Sequence, residues 1–163
     1  KSLDKNNDNY TTPYEVWELI NDYLPKGENE IIWEPFYNEK SNSASHLMKL
    51  GCKVVHSNLD FFKVKHPLGT HIVSNGPWSN KNEVFKKLKE LDIPFIMIIP
   101  VHSLCCRFIK NFFKNNLQII IPDSRLHFEM ESYNKKWEVV KRTPFDSVFV
   151  CYKMNLKSDV IWL

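Results

Sequence analysis

Ile72-Val73-Ser74-Asn75-Gly76-Pro77-Trp78-Ser79 is an apolar run that stops abruptly on an amide, a glycine, a proline and an indole. Its first part, His71–Ser74, reads as a strand buried on both faces, because the apolar residues are consecutive rather than alternating. Asn-Gly-Pro then breaks the strand. Those residue types also make an ordinary turn, so the local sequence alone leaves a turn and a functional loop both open.

On the N-terminal side of this stretch, residues 1–9 are polar and read as a flexible segment. Thr12-Pro13-Tyr14-Glu15 has the form of a capping box with proline in the first turn, predicting a helix that carries Val16, Trp17, Ile20, Tyr23 and Leu24 and stops at Pro25-Lys26-Gly27. Ile31–Trp33 reads as a strand, Ala44–Leu50 as a helix closed by Gly51, and Lys53–His56 as another strand. Trp17 and Trp33 are assigned to the core. On the C-terminal side, Glu83–Leu91 has apolar residues on one face and lysines on the other. Phe95–Ile99 is a buried strand ended by Pro100, and Ser103–Phe113 is helical. Leu117–Ile121, Arg125–Glu129, Ser147–Lys153 and Val160–Leu163 read as late strands.

Helix and strand alternate and then give way to strands. This order predicts an α/β protein: a mostly parallel, doubly wound sheet with antiparallel C-terminal strands, in one domain over residues 10–163. Ligands of such sheets sit beyond the carboxyl ends of the strands, where the strand order reverses. Glu34, Asp60 and Asn75 all fall at or just after predicted strand ends.

Composition bounds the function classes. The net charge of +3 is only mildly favourable to a polyanion, and 19 of the 22 basic residues are lysine. No apolar run reaches the length of a membrane helix and nothing resembles a signal peptide, so a soluble, intracellular protein of cytoplasm or nucleus is expected. Cys52, Cys105, Cys106 and Cys151 lack metal-ligand spacing, as do the histidines, and no metal is expected. The order of residues shows no Ser-His-Asp or Cys-His arrangement.

The Asn75-Gly76-Pro77-Trp78 segment resembles the N-P-P-aromatic motif of the S-adenosylmethionine-dependent adenine-N6 DNA and RNA methyltransferases, most closely their compact phage and viral members. Three further pieces occur in that family's order. Asn9-Tyr10-Thr11-Thr12-Pro13 resembles the N-terminal segment folded over the cofactor. Trp33-Glu34-Pro35-Phe36-Tyr37 resembles the cofactor-binding strand and turn. Asp60-Phe61-Phe62 resembles the segment that holds the cofactor's adenine. Later segments, Ile121–Phe128 and Pro144–Val148, resemble the closing strands. The resemblance implies a Rossmann-like class I methyltransferase fold and S-adenosylmethionine as cofactor, bound by Tyr10, Thr11, Thr12, Glu34, Phe36, Asp60 and Phe61. It also implies a catalytic loop of Asn75, Gly76, Pro77 and Trp78, with Asn75 and the Gly76 carbonyl accepting from the target amine and Trp78 stacking on the base.

The sequence departs from the family at three places. The turn Tyr37–Ser43 has no glycine, and Glu39 and Lys40 stand where the cofactor needs space. His56-Ser57-Asn58 occupies the place of an acidic ribose-binding residue. Gly76 replaces the first proline of the motif. Two functions therefore stand side by side: an adenine-N6 methyltransferase, and a catalytically inactive methyltransferase-like module serving as a nucleic-acid-binding or structural subunit of a larger assembly. A transferase of this fold using another nucleotide is a third. Arg125, Lys135 and Lys136 are the candidate contacts to DNA or RNA, although lysines in late loops are commonly just solvated. Target recognition is expected to fall to partner chains, to flanking segments beyond this sequence or to the loop around Tyr133–Lys136, since these residues leave no room for a separate recognition domain.

Overall fold

The computed structural model describes residues 10–36, 41–131, 137–139 and 145–163. The predicted flexible segment 1–9 therefore lies outside the described residues, as do Glu39, Lys40, Lys135 and Lys136. The elements in chain order are β1 (Tyr10–Thr11), α1 (Tyr14–Glu18), β2 (Ile32–Trp33), α2 (Ser43–Lys49), β3 (Val54–Val55) and β4 (His71–Ser74). There follow α3 (Lys81–Leu91), β5 (Phe95–Pro100), α4 (Arg107–Phe113), β6 (Leu117–Ile121), β7 (Glu129–Glu131), β8 (Trp137–Val139), β9 (Ser147–Tyr152) and β10 (Val160–Trp162).

Seven strands form the main sheet in the order β10-β6-β9-β5-β4-β2-β3. Strands β3, β2, β4 and β5 run parallel to one another, and β9 lies antiparallel between β5 and β6. The predicted mostly parallel sheet is present, with one difference at its end. β10 pairs parallel with β6, so β9 alone supplies the antiparallel character of the described main sheet. From β2 the chain passes to β3 on one side and returns to β4 on the other. That reversal opens a crevice at the carboxyl ends of β2 and β4, immediately before Glu34 and Asn75.

The sheet is covered on both faces, and the period-two alternation of β5 shows how. Phe95, Met97 and Ile99 pack with Val84, Phe85 and Leu88 of α3 and with Phe108, Ile109 and Phe113 of α4. Ile96 and Ile98 point the other way, into a cluster with Val16, Trp17, Ile20 and Leu47. Phe95 is fully buried, ringed by Phe85, Phe113 and Tyr152 at centroid distances of 5.3–6.0 Å. Truncating such a ring costs about 3–5 kcal/mol, so Phe95→Ala would break this layer. Trp17 and Trp33 are core residues at 0% and 1% exposure.

The first helix is shorter than its sequence pattern. Tyr14–Glu18 is α-helical, and the chain then tightens into a 3-10 turn at Asn21–Tyr23. Leu24 is extended (φ −70°, ψ 139°), as expected for a residue before proline, whose ring disfavours the helical conformation there. The capping box does not form. Pro13 stands at the N-cap position without a side-chain capping bond, and the Thr12 hydroxyl is engaged elsewhere.

The expected strand Arg125–Glu129 also shifts. Its first residues are irregular, with Leu126 and Phe128 buried, and pairing begins only at Glu129. There β7 joins β1 and β8 in a separate three-stranded sheet, with Thr11 opposite Glu129 and Tyr10 opposite Met130. Ser103–Phe113 is likewise divided: a 3-10 turn over Val101–Cys105, an extended Cys106, and then α4. Among the described residues no helix is long and apolar enough to cross a membrane.

Candidate functional site

A cavity of about 410 Å³ opens at the carboxyl ends of β2 and β4. Tyr10, Glu34, Phe36, Asp60, Phe61 and the Asn75–Trp78 segment all line it. Residues spread over 69 positions of sequence thus meet in one place because the parallel strands deliver their ends to the same edge. Thr11 and Thr12 are buried at 6% and 2% exposure and lie outside this lining.

Asn75 follows the last residue of β4. Its Nδ2 donates to Thr12 Oγ1 at 3.0 Å, a contact across 63 residues of sequence. Its Oδ1 is buried and has no hydrogen-bond partner among the described residues. An unsatisfied buried acceptor costs about 1–3 kcal/mol, a loss that an N–H donor reaching Oδ1 would recover. Gly76 is buried and Pro77 extended (φ −68°, ψ 123°), which leads the chain into a 3-10 turn at Trp78–Asn80. The half-buried Trp78 packs against both core clusters and presents the rest of its surface to the cavity.

Glu34 is 2% exposed, an unusual place for a carboxylate. Its Oε1 accepts from Ser74 Oγ at 2.5 Å and from the Phe36 backbone N–H at 3.2 Å. His56 Nδ1 lies 2.9 Å from Oε2 and 3.1 Å from the Glu34 carbonyl oxygen. Hydrogen bonding to the Glu34 carboxylate outweighs burial and raises the His56 pKa above its ordinary value. A protonated His56 in turn offsets the cost of burying the Glu34 charge. The order Ser74–Glu34–His56 has the carboxylate at its centre, so it is a clamp on Glu34 rather than a device for activating a serine. Neither partner was named a site residue from sequence. Both stand at or beside strand ends, the one signal that pointed to them.

The aromatic wall is built from Phe36 and Phe61, whose centroids are 4.9 Å apart, with Phe61 also against Trp33 at 5.8 Å. Asp60 is exposed beside them. Its Oδ1 accepts from the Phe62 N–H at 3.0 Å and its Oδ2 faces Lys63 Nζ at 3.3 Å. Pro35, Ser41, Ser43, Asn58, Leu59 and Phe62 also line the cavity; of these, Leu59 belongs to none of the segments quoted from the sequence, and none is among the candidate site residues. Short polar residues in loops carry no periodicity that would reveal their shared location. Gly69 permits the chain to pass across β2: a β-carbon there would lie 2.6 Å from the Ile31 carbonyl oxygen.

Arg125 lies beyond β6 at the same edge of the sheet but outside the cavity lining. Its Nε and Nη2 grip the two Asp146 carboxylate oxygens at 2.7 and 3.2 Å. Among the described residues no group of three or more metal-ligating side chains comes together.

The architecture is similar to that of a candidate class I S-adenosylmethionine-dependent methyltransferase of Listeria monocytogenes. The match has a TM-score of 0.52 and 11% identity, covering 99% of this chain and 67% of that one. The chain has the class I methyltransferase fold. Weaker similarities include a candidate RNA methyltransferase of Pyrococcus horikoshii (TM-score 0.49, 11% identity, 85% and 78% of the two chains). A tRNA (m1A58) methyltransferase of Aquifex aeolicus is another (TM-score 0.46, 9% identity, 86% and 68%). No protein-family model matches the chain, and no curated protein sequence matches it.

Proposed function

We propose that this protein is an S-adenosylmethionine-dependent methyltransferase acting on adenine N6 of DNA or RNA. The observation that carries the reading is the buried Oδ1 of Asn75, unpartnered among the described residues, on a residue that lines a cavity together with Tyr10, Glu34, Phe36, Asp60, Phe61 and Gly76–Trp78. The cavity volume falls within the range of small-molecule sites. Its walls suit a nucleoside joined to a charged amino acid. Phe36 and Phe61 supply apolar surface for a base, Asp60 and Asn58 supply polar groups beside it, and the Glu34 carboxylate supplies negative charge. When bound, S-adenosylmethionine supplies a methyl group made electrophilic by a positively charged sulfur.

The exocyclic amine of adenine is a poor nucleophile because its lone pair is delocalised into the ring. Asn75 Oδ1 and the Gly76 carbonyl accept its two N–H groups and favour the positive charge that gathers on nitrogen as the new bond forms. Trp78 offers its ring face to an extruded base. The Asn75 amide is held in place through Nδ2. Substrate selection falls to partner chains, flanking segments or residues 133–136, with Arg125, Lys135 and Lys136 as contacts to nucleic acid.

A specific observation also favours the second reading, a catalytically inactive subunit of a larger assembly. The turn Tyr37–Ser43 has no glycine, and Gly76 stands where the motif has proline. Calorimetric titration with S-adenosylmethionine and its demethylated product separates the two. Binding, with methyl transfer to an adenine-containing oligonucleotide that Asn75→Ala abolishes, supports the enzyme. Absence of binding at millimolar ligand overturns the enzyme reading in favour of the second.

A further inference from the structure

We infer that Thr12 is a positioning residue for Asn75, a latch that holds the Asn75 amide in place beside the cavity. The inference rests on the proposed methyl-transfer role of Asn75 and deepens it. It gives Thr12 a task other than the contact to cofactor that its neighbourhood in the sequence suggests.

Four observations carry it. Thr12 is 2% exposed and lies outside the cavity lining. The N-cap position of α1 is taken by Pro13, one residue later, so Thr12 does not stand where a threonine caps a helix. Its hydroxyl accepts from Asn75 Nδ2 at 3.0 Å. The opposite end of the same amide, Oδ1, is buried and unpartnered among the described residues.

An asparagine side chain turns about two torsions, and its Oδ1 can meet a target amine only while the amide keeps its place. The bond from Nδ2 to Thr12 restrains those torsions, while Oδ1 stays without a partner among the described residues. Thr12 is itself held on both sides in sequence. Thr11 and Tyr10 pair with Glu129 and Met130, and the Tyr10 ring packs edge-on against Phe128 and Phe145 at 6.4 and 6.5 Å. On the other side Pro13 has a restricted backbone at φ −70°. The latch therefore stands on a rigid support, as an orienting group must.

Thr12→Val keeps the shape of the side chain and removes its acceptor, whereas Thr12→Ser keeps the acceptor. The first readout is the side-chain amide of Asn75 by 15N-resolved NMR, assigned through Asn75→Ala, on the full chain without ligand. In the wild-type protein and Thr12→Ser one amide proton is shifted downfield and protected from exchange. In Thr12→Val that shift and protection are lost. The second readout is methyl transfer. Thr12→Val lowers kcat by about tenfold or more with KM for S-adenosylmethionine within about twofold, and Thr12→Ser restores most of the rate. An Asn75 amide signal unchanged in Thr12→Val would overturn the inference, as would a changed signal with an unchanged kcat. If the wild-type protein transfers no methyl group, the methyltransferase reading fails on that result, while the NMR comparison alone still decides whether Thr12 orients Asn75.

Discussion

The Phe36 ring lies so close to Gly76 that a β-carbon on the glycine would sit 2.9 Å from Phe36 Cε2 and 3.2 Å from Met97 Cε. Gly76 is therefore matched to this aromatic wall. A proline at the position would meet the same ring, which gives the departure from the motif a physical cause.

Overpacking at such a contact typically costs 1–3 kcal/mol. Gly76→Ala is expected to lower stability by about 1–2 kcal/mol, measured by urea unfolding, with the Phe36 ring displaced from Phe61. In a Phe36→Leu background the same substitution should cost less, because the two residues touch and their effects are not additive. Equal costs in both backgrounds would show that the ring is not what excludes a side chain.

The His56–Glu34 pair makes stability depend on pH. His56 has its folded pKa raised above the ordinary 6.5, chiefly by its hydrogen bond to Glu34. The folded state thus binds the proton more tightly than the unfolded chain. Its contribution is fully present below the unfolded value and is lost as pH rises through the folded value. His46 and His71 are shifted down, chiefly by burial, and contribute with the opposite sign. Subtracting the profile of His56→Gln from that of the wild type isolates the pair. The difference should decline from mildly acidic pH to above neutrality; a flat difference would refute the coupling.

The four thiols should separate by reactivity. Burial pushes the Cys151 thiol up to about 12, and Cys52 is buried with its pKa also raised, while Cys105 is exposed. Iodoacetamide near neutral pH should label Cys105 first. Cys52 and Cys151 should react only as the chain unfolds, which mass spectrometry along a urea series would follow. Rapid labelling of Cys151 in the native protein would contradict its place in β9.

Asp60 is exposed at the cavity rim, so its loss should affect ligand binding more than folding. Asp60→Ala is expected to weaken binding of the demethylated cofactor product by about tenfold or more, since a hydrogen bond to a charged group contributes about 1.5–3 kcal/mol. Unfolding free energy should move by less than about 0.5 kcal/mol. Unchanged affinity by calorimetry would remove Asp60 from the proposed site.

Much of this architecture was legible along the chain. Phe95–Ile99 announced a strand covered on both faces, and it alternates between two cores. Val84, Leu88 and Leu91 gave the inward face of α3. The irregular joins were less readable. Thr12-Pro13-Tyr14-Glu15 has every residue of a capping box, yet a partner 63 positions away competes for the threonine hydroxyl. Arg125–Glu129 looks like a strand, but among the described residues its ladder begins only at Glu129, opposite Thr11 and Val139.

Sequence by itself determined most of the order of elements, the two-sided burial of the sheet and the positions of Glu34 and Asn75 at strand ends, with Asp60 in the loop after β3. These follow from local periodicity and from residues that break it. Only the tertiary structure decided what those residues do to one another. The clamp of Ser74 and His56 on Glu34, the fit of Phe36 over Gly76 and the grip of Thr12 on Asn75 are contacts between distant segments. Such contacts exist only once the parallel strands bring their carboxyl ends to a common edge, and no spacing along the chain encodes which end of an amide is left free.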